Sequence, residues 1–132
     1  MKFDSFLNMQ CKTVADTFVL AGKEKWGSDD FAKKMFHTKW GANILKGVSI
    51  FEYTCPRYMY EGLKDNMKWK SGKVYDSDLL WYSGYLYRYI MEDSKDPPTS
   101  IYEKAPIHTI ANRYPFYHTQ DWDYVKEDLG IQ

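Results

Sequence analysis

The stretch "LLWYSGYLYRYIMED", Leu79 to Asp93, constrains this chain more than any other. Asp76 or Ser77 suits the cap of a helix there, and Asp78 sits in its first turn. Between Trp81 and Tyr89 the stretch carries one tryptophan and four tyrosines, with one glycine among them. At about 100° per residue, Leu79, Leu80, Ser83, Leu86, Tyr87 and Ile90 share one helical face. Trp81, Tyr85, Arg88, Tyr89 and Glu92 share the other. A helix that is apolar or aromatic all round belongs at the centre of a fold, covered on both sides. Gly84 costs about 1 kcal/mol in a helix interior. A close approach of a second helix explains it best.

The second face has a competing reading. Trp, Tyr and Arg are the residue types enriched at interface hot spots. Glu92, four residues after Arg88, can hold the guanidinium over the rings. Trp81, Tyr85, Arg88 and Tyr89 are therefore candidate partner-binding residues. The alternative is that neighbouring helices cover this face and Arg88 makes an internal ion pair.

The rest of the chain also reads as helices. From Asp4 to Ala21, Phe6, Leu7, Cys11, Val14, Ala15, Phe18 and Val19 recur at three and four, and Gly22 suits the position past the end. "SDDFAKKMF" begins with Ser28 as a cap, turns Phe31, Met35 and Phe36 inward, and turns Lys33 and Lys34 away. In "TKWGANILKGVSIFEYTCPRYMYEGL" Gly41 and Gly47 act as punctuation. "VSIFEYT" allows a short helix capped by Ser49, or a strand, and Pro56 kinks that helix or begins a new one. "KDNMKWKSGKVYDSD" reads as a loop or short hairpin near 66–75, around Ser71-Gly72. Ser100 and Glu103 form a capping box, and Pro106 begins the next turn with Ile107, Ile110 and Ala111 inward. Pro115 stops that helix. A last one, capped by Thr119 or Asp121, is anchored by Trp122, Val125 and Leu129, with Gly130 past its end. The expectation is an all-α, irregular single-domain bundle of five to seven helices over residues 1–132.

Composition narrows the setting. At 132 residues the chain suits one domain. It buries roughly two thirds of its unfolded surface, enough to fold without disulfides or metal. Its 18 basic and 18 acidic residues balance, which argues against a general nucleic-acid or membrane-surface binder. No apolar run approaches the ~20 residues of a membrane span. "MKFDSFLNMQCK" has no signal-like apolar stretch, so the expected compartment is the cytoplasm. There Cys11 and Cys55 read as buried thiols.

Catalytic chemistry has no sequence signature here. His37, His108 and His118 match no zinc spacing, and His118 with Asp121 reads as polar capping in a turn. There is no phosphate-binding glycine loop, nucleophile elbow or recognisable triad, so no catalytic residue, metal ligand or cofactor is expected. "RYMYEGLKDNMKWKSGKVY" interleaves Arg57, Lys64, Lys68, Lys70 and Lys73 with Tyr58, Tyr60, Trp69 and Tyr75. Cations beside aromatic platforms suit single-stranded nucleic acid. The zero net charge ranks that reading second. The same strip suits an acidic protein partner, so Lys68, Trp69 and Lys70 join the candidate set. The acidic segment with Asp121, Asp123, Glu127 and Asp128 is its internal alternative.

Three further segments carry a resemblance: "FAKKMF" before a glycine-bounded turn, "YDSDLLWYSGYLYRYIMEDSKDPPTSIYEKAPIHTI", and "YPFYHTQD". Together they resemble a group of small helical bacterial proteins. Those proteins pair a "SPEYWxGWxLAYYQW"-like helix with a short polar loop, a second helix and a "YxxxHE"-like turn. Asp78, Trp81, Gly84, Leu86 and Tyr89 fall at comparable places. The chain departs where "YLYRYI" replaces "AYYQW" and where Asp121 does not follow His118 directly. Members sit in small gene cassettes resembling toxin–antitoxin or immunity pairs. The resemblance implies a non-catalytic protein-binding module that neutralises a partner encoded by a neighbouring gene, and assigns no role to any single residue. Two alternatives stand beside it: a single-stranded nucleic-acid-binding regulator using residues 57–75, and an enzyme with a dispersed site.

Overall fold

A computed structural model describes residues 5–48 and 55–132. Within them the chain forms eight helices: α1 (Ser5–Lys23), α2 (Ser28–His37), α3 (Lys39–Leu45), α4 (Pro56–Asn66), α5 (Ser77–Met91), α6 (Pro98–Lys104), α7 (Ile107–Tyr117) and α8 (Trp122–Asp128). The all-α expectation holds, but the count is eight rather than five to seven. The additional element is α3. Thr38 is extended between α2 and α3, and its hydroxyl accepts the Gly41 N–H at 3.1 Å, so it caps a new helix. Gly41 is not punctuation. A Cβ there would lie 2.6 Å from Met35 Cα, so the glycine lets α3 fold back against α2.

The centre is α1 packed along α5, the most extensive helix pair among the described residues. Gly84 is where they meet: a Cβ on it would lie 2.8 Å from Ala15 Cα and 2.9 Å from the Val14 carbonyl oxygen. Phe18, Phe31, Phe36 and Tyr87 fill the space beside that contact. Phe36 and Tyr87 stand edge to face at 4.7 Å, and Phe18 and Phe31 at 4.9 Å.

Several helix ends differ from the sequence reading. α1 runs past Gly22 to Lys23, and Gly22 is instead a packing position whose Cβ would meet Leu80 at 2.6 Å. The helix closes at Lys25, in the left-handed region (φ 70°), with Trp26 N–H donating to the Ala21 carbonyl at 3.0 Å. The cap position of α2 is Gly27 rather than Ser28. The Ser28 hydroxyl accepts the Tyr75 N–H at 3.0 Å, while Ser28 N–H donates to the Lys73 carbonyl at 2.8 Å. α6 starts at Pro98, so Ser100 and Glu103 lie inside it and form no capping box. Pro115 lies within α7, whose final turn closes around it with His118 N–H donating to the Tyr114 carbonyl. Gly130 (φ 76°) does end α8 as expected.

The segment 67–76 is a loop rather than a self-paired hairpin. One antiparallel bridge joins Ser71 to Trp26, and Gly27 N–H donates to the Lys70 carbonyl at 2.9 Å. Lys34 does not simply point away: its ammonium pairs with Asp30 at 2.9 Å and donates to the Lys68 carbonyl. Asp4, the Ser49 cap and the "VSIFEYT" helix-or-strand question lie outside the described residues. Among those described, no helix is long and apolar enough to cross a membrane.

Candidate functional site

The tyrosines of α5 explain the unusual stretch. Three of the four, Tyr85, Tyr87 and Tyr89, place the ring in the core and the hydroxyl on a neighbouring element, while the buried Tyr82 hydroxyl has no hydrogen-bond partner among the described residues. Tyr85 donates to Asn8 Oδ1 at 2.6 Å, Tyr87 to the Ala105 carbonyl at 2.7 Å, and Tyr89 to Asp123 Oδ1 at 2.7 Å. Trp122 of α8 stacks on Tyr85 at 4.5 Å with 18° between the rings. Arg88 Nη2 donates to Gln10 Oε1 at 2.6 Å and to Glu92 Oε1 at 2.5 Å. Of the two readings of Trp81, Tyr85, Arg88 and Tyr89, the covered face with an internal Arg88 ion pair fits, and Tyr85, Arg88 and Tyr89 do not form an open face. Tyr85, Arg88 and Tyr89 are 4%, 2% and 4% exposed. α1 supplies Asn8 and Gln10, and α8 supplies Trp122 and Asp123, so two helices cover what looked free.

Trp81 is the one partly open member. Its indole N–H donates to Asp16 at 3.0 Å, and its ring leans on Tyr85 at 5.3 Å. With Asp78, Tyr82, Tyr114, His118, Gln120 and Trp122 it lines an open cleft of about 410 Å³. Tyr82 and Tyr114 meet there at 5.3 Å and 74°, and Tyr82 and Trp122 at 4.9 Å.

Lys68, Trp69 and Lys70 are exposed, and they follow α4 in the chain. On α4, Met59, Tyr60 and Leu63 face the core, which leaves Tyr58, Glu61, Gly62 and Asp65 outward at three–four spacing. Trp40, at the start of α3, lies against that outward face. A Cβ on Gly62 would meet its indole at 3.4 Å, an ordinary van der Waals contact, so the ring lies directly over this position. Trp40, Tyr58, Glu61, Gly62, Asp65 and Asn66 line a groove of about 240 Å³. A second of about 450 Å³ begins at the same Trp40 and Asn66 and runs past Asn43 and Thr38. Trp69 follows Asn66 by three residues, its segment held by the Lys34 contact to the Lys68 carbonyl. The sequence reading named Tyr58 only within the 57–75 strip and missed Trp40 as a surface group. The outward spacing of Tyr58, Glu61 and Asp65 was the available signal.

The acidic C-terminal residues do not serve the basic strip. Asp123 accepts from Tyr89, Asp128 pairs with Arg113 and accepts from Tyr117, and Lys126 bonds Asp93 at 2.7 Å. His37 sits at the end of α2 against Tyr102, while His108 and His118 lie at opposite ends of α7. No three His, Cys, Asp or Glu side chains converge as metal ligands among the described residues. Cys11 is buried, and burial pushes its thiol up to about 12. Cys55 is exposed, which corrects the expectation of two buried thiols. It caps α4, its sulfur accepting the Tyr58 N–H at 3.3 Å.

The chain is thus an all-α protein built on a covered aromatic helix, with an open aromatic surface on α3, α4 and the following loop. Comparison with protein-family models, curated proteins and solved structures finds no match.

Proposed function

We propose that this chain is a non-catalytic protein-binding module whose partner engages the edge formed by α3, α4 and the loop after α4. One observation carries the reading. Trp40 and Tyr58, 37% and 56% exposed, line one groove on that edge, and Trp69, 42% exposed, lies three residues beyond Asn66, which lines the same groove. Large rigid rings of this kind are the commonest anchors of protein interfaces. Charge adds to it: Glu61, paired with Arg57, and Asp65 lie on the outward face of α4, and Lys68 and Lys70 on the loop after it, so a partner with complementary charges is favoured. The resemblance to cassette proteins supplies the kind of partner, a protein encoded by a neighbouring gene, which this chain neutralises as an antitoxin or immunity protein does.

The test is co-expression with the product of the adjacent gene. The expected result is a stable complex that Trp40→Ala and Trp69→Ala each weaken, by about 2 kcal/mol or more for a true anchor, with the melting temperature preserved. No complex, or a complex indifferent to both substitutions, contradicts the reading. The exposure of Lys68, Trp69 and Lys70 also favours a second reading, single-stranded nucleic-acid binding. Tight binding that falls steeply with salt and disappears when those three residues become alanine would put it first.

A further inference from the structure

The cleft at the start of α5 has a different chemistry from the α3–α4 edge. We propose that it binds an alkylated ammonium group of the trimethylammonium class. Four aromatic residues, Trp81, Tyr82, Tyr114 and Trp122, contribute to its walls, and none of its lining residues is a lysine or arginine. The rings are already held in place. Trp81 is fixed by its bond to Asp16, Trp122 by its stack on Tyr85, and Tyr114 by its edge-to-face contact with Tyr82. The 74° between Tyr82 and Tyr114 sets aromatic surface in two planes, so a rounded group meets rings from more than one side. At about 410 Å³ the cleft falls in the lower part of the range of small-ligand sites, roughly 300–1,000 Å³.

Charge decides which group fits. Asp78 is exposed in the first turn of α5, and no described residue bonds or pairs with its carboxylate. Tyr82 is 7% exposed and contributes its ring, while its hydroxyl, which has no hydrogen-bond partner among the described residues, is buried away from the cleft. Ring faces carry negative quadrupole charge, and with Asp78 they disfavour an anion and favour a cation. A primary ammonium would surrender a strong water shell for one carboxylate. An alkylated ammonium is weakly hydrated, presents methyl groups to the rings, and loses little on entering. A neutral apolar group of the same shape gains the packing but not the attraction of Asp78 or the ring faces.

The experiment follows the tryptophan indole N–H resonances of the intact protein during titration with choline and with its neutral carbon isostere, 3,3-dimethylbutan-1-ol. Saturable shifts at Trp81 and Trp122, with the isostere about tenfold weaker, are the expected result. Asp78→Asn, on an exposed side chain, should keep the melting temperature and weaken choline about threefold or more. Tyr114→Leu should weaken it too. A short peptide bearing trimethyl-lysine tests the source: tighter binding than choline identifies a modified protein, and weaker binding a free small molecule. The proposal is overturned if no saturable shift occurs by about 50 mM choline. It is also overturned if the isostere binds equally, or if Asp78→Asn changes nothing.

Discussion

Three of the four phenols on α5 do two jobs at once, and each has a structural address. Tyr85, Tyr87 and Tyr89 bury their rings and fasten Asn8, the Ala105 carbonyl and Asp123 by their hydroxyls. Phenylalanine would fill the same space and leave those contacts unmade. Gly84 is the matching sacrifice on the same helix, because the α1 backbone occupies the place of its side chain. Gly84→Leu is expected to destabilise by at least the roughly 1–3 kcal/mol of ordinary overpacking. A urea titration with an unchanged midpoint would refute the close approach. Arg88 poses a sharper question. It is buried, with Nη2 bonded to Gln10 and Glu92 and with Nε and Nη1 lacking partners. A buried charge with unmet donors gives back much of what its pairing gains. Arg88→Met, which keeps most of the volume, is therefore expected to cost about 1 kcal/mol less than Arg88→Ala, which opens a cavity. Equal losses in thermal melts would mean that the charge, rather than the volume, holds this position.

At the scale of elements, helices were legible where pattern was dense and illegible where one tertiary contact decided. The stripe from Leu7 to Phe18 and the saturated pattern of α5 demanded helices, and both formed. α3 was missed because Gly41 signals a break locally, while its actual reason is the Met35 backbone one helix away. The end of α1 was misplaced for a similar reason: Gly22 packs against the Leu80 side chain, and Lys25 makes the left-handed turn. Ser28 is the clearest case. Its sequence context says cap, but its hydroxyl is spent on Tyr75 across the molecule. Ser28→Ala should therefore act on the loop more than on α2, leaving the Tyr75 N–H without its acceptor at a cost of about 1–3 kcal/mol. Amide exchange is the direct check. Faster exchange at Tyr75 with α2 unchanged is expected, whereas loss of protection along α2 would restore the capping reading.

For the whole molecule, buried titratable groups set the response to alkali. Burial pushes Tyr85 and Tyr102 up to about 12 from 10.0, and Cys11 up to about 12 from 9.0. Tyr82, Tyr87 and Tyr89 are raised as well, burial again the leading cause. The neutral form is the one the fold prefers, so the unfolded chain ionises first. These groups leave stability unchanged below about pH 9, and stability should fall from there as pH rises towards 12. Melting temperatures across that range, with tyrosinate absorbance, should reveal late-titrating phenols in the folded state. Titration of every tyrosine near 10 would contradict the burial. The candidate site was less legible than the fold. A helix apolar on all sides announces that something covers it, but not whether that is a partner or the same chain. Trp122 and Asp123, on a separate short helix, provide the answer, and no local pattern links them to Tyr85 and Tyr89. Trp40 and Tyr58 likewise became neighbours only when α3 folded against α4.

The central claim is that the second aromatic face of α5 is core, covered by α1 and α8. The most direct measurement is equilibrium urea denaturation of Tyr85→Ala against the parent chain. Removing that ring takes away the stack on Trp122 and the bond to Asn8, and leaves a cavity under α8. A loss of about 3 kcal/mol or more is predicted, as for other large core aromatics truncated to alanine. A variant as stable as the parent would contradict the account and return Tyr85 to the surface.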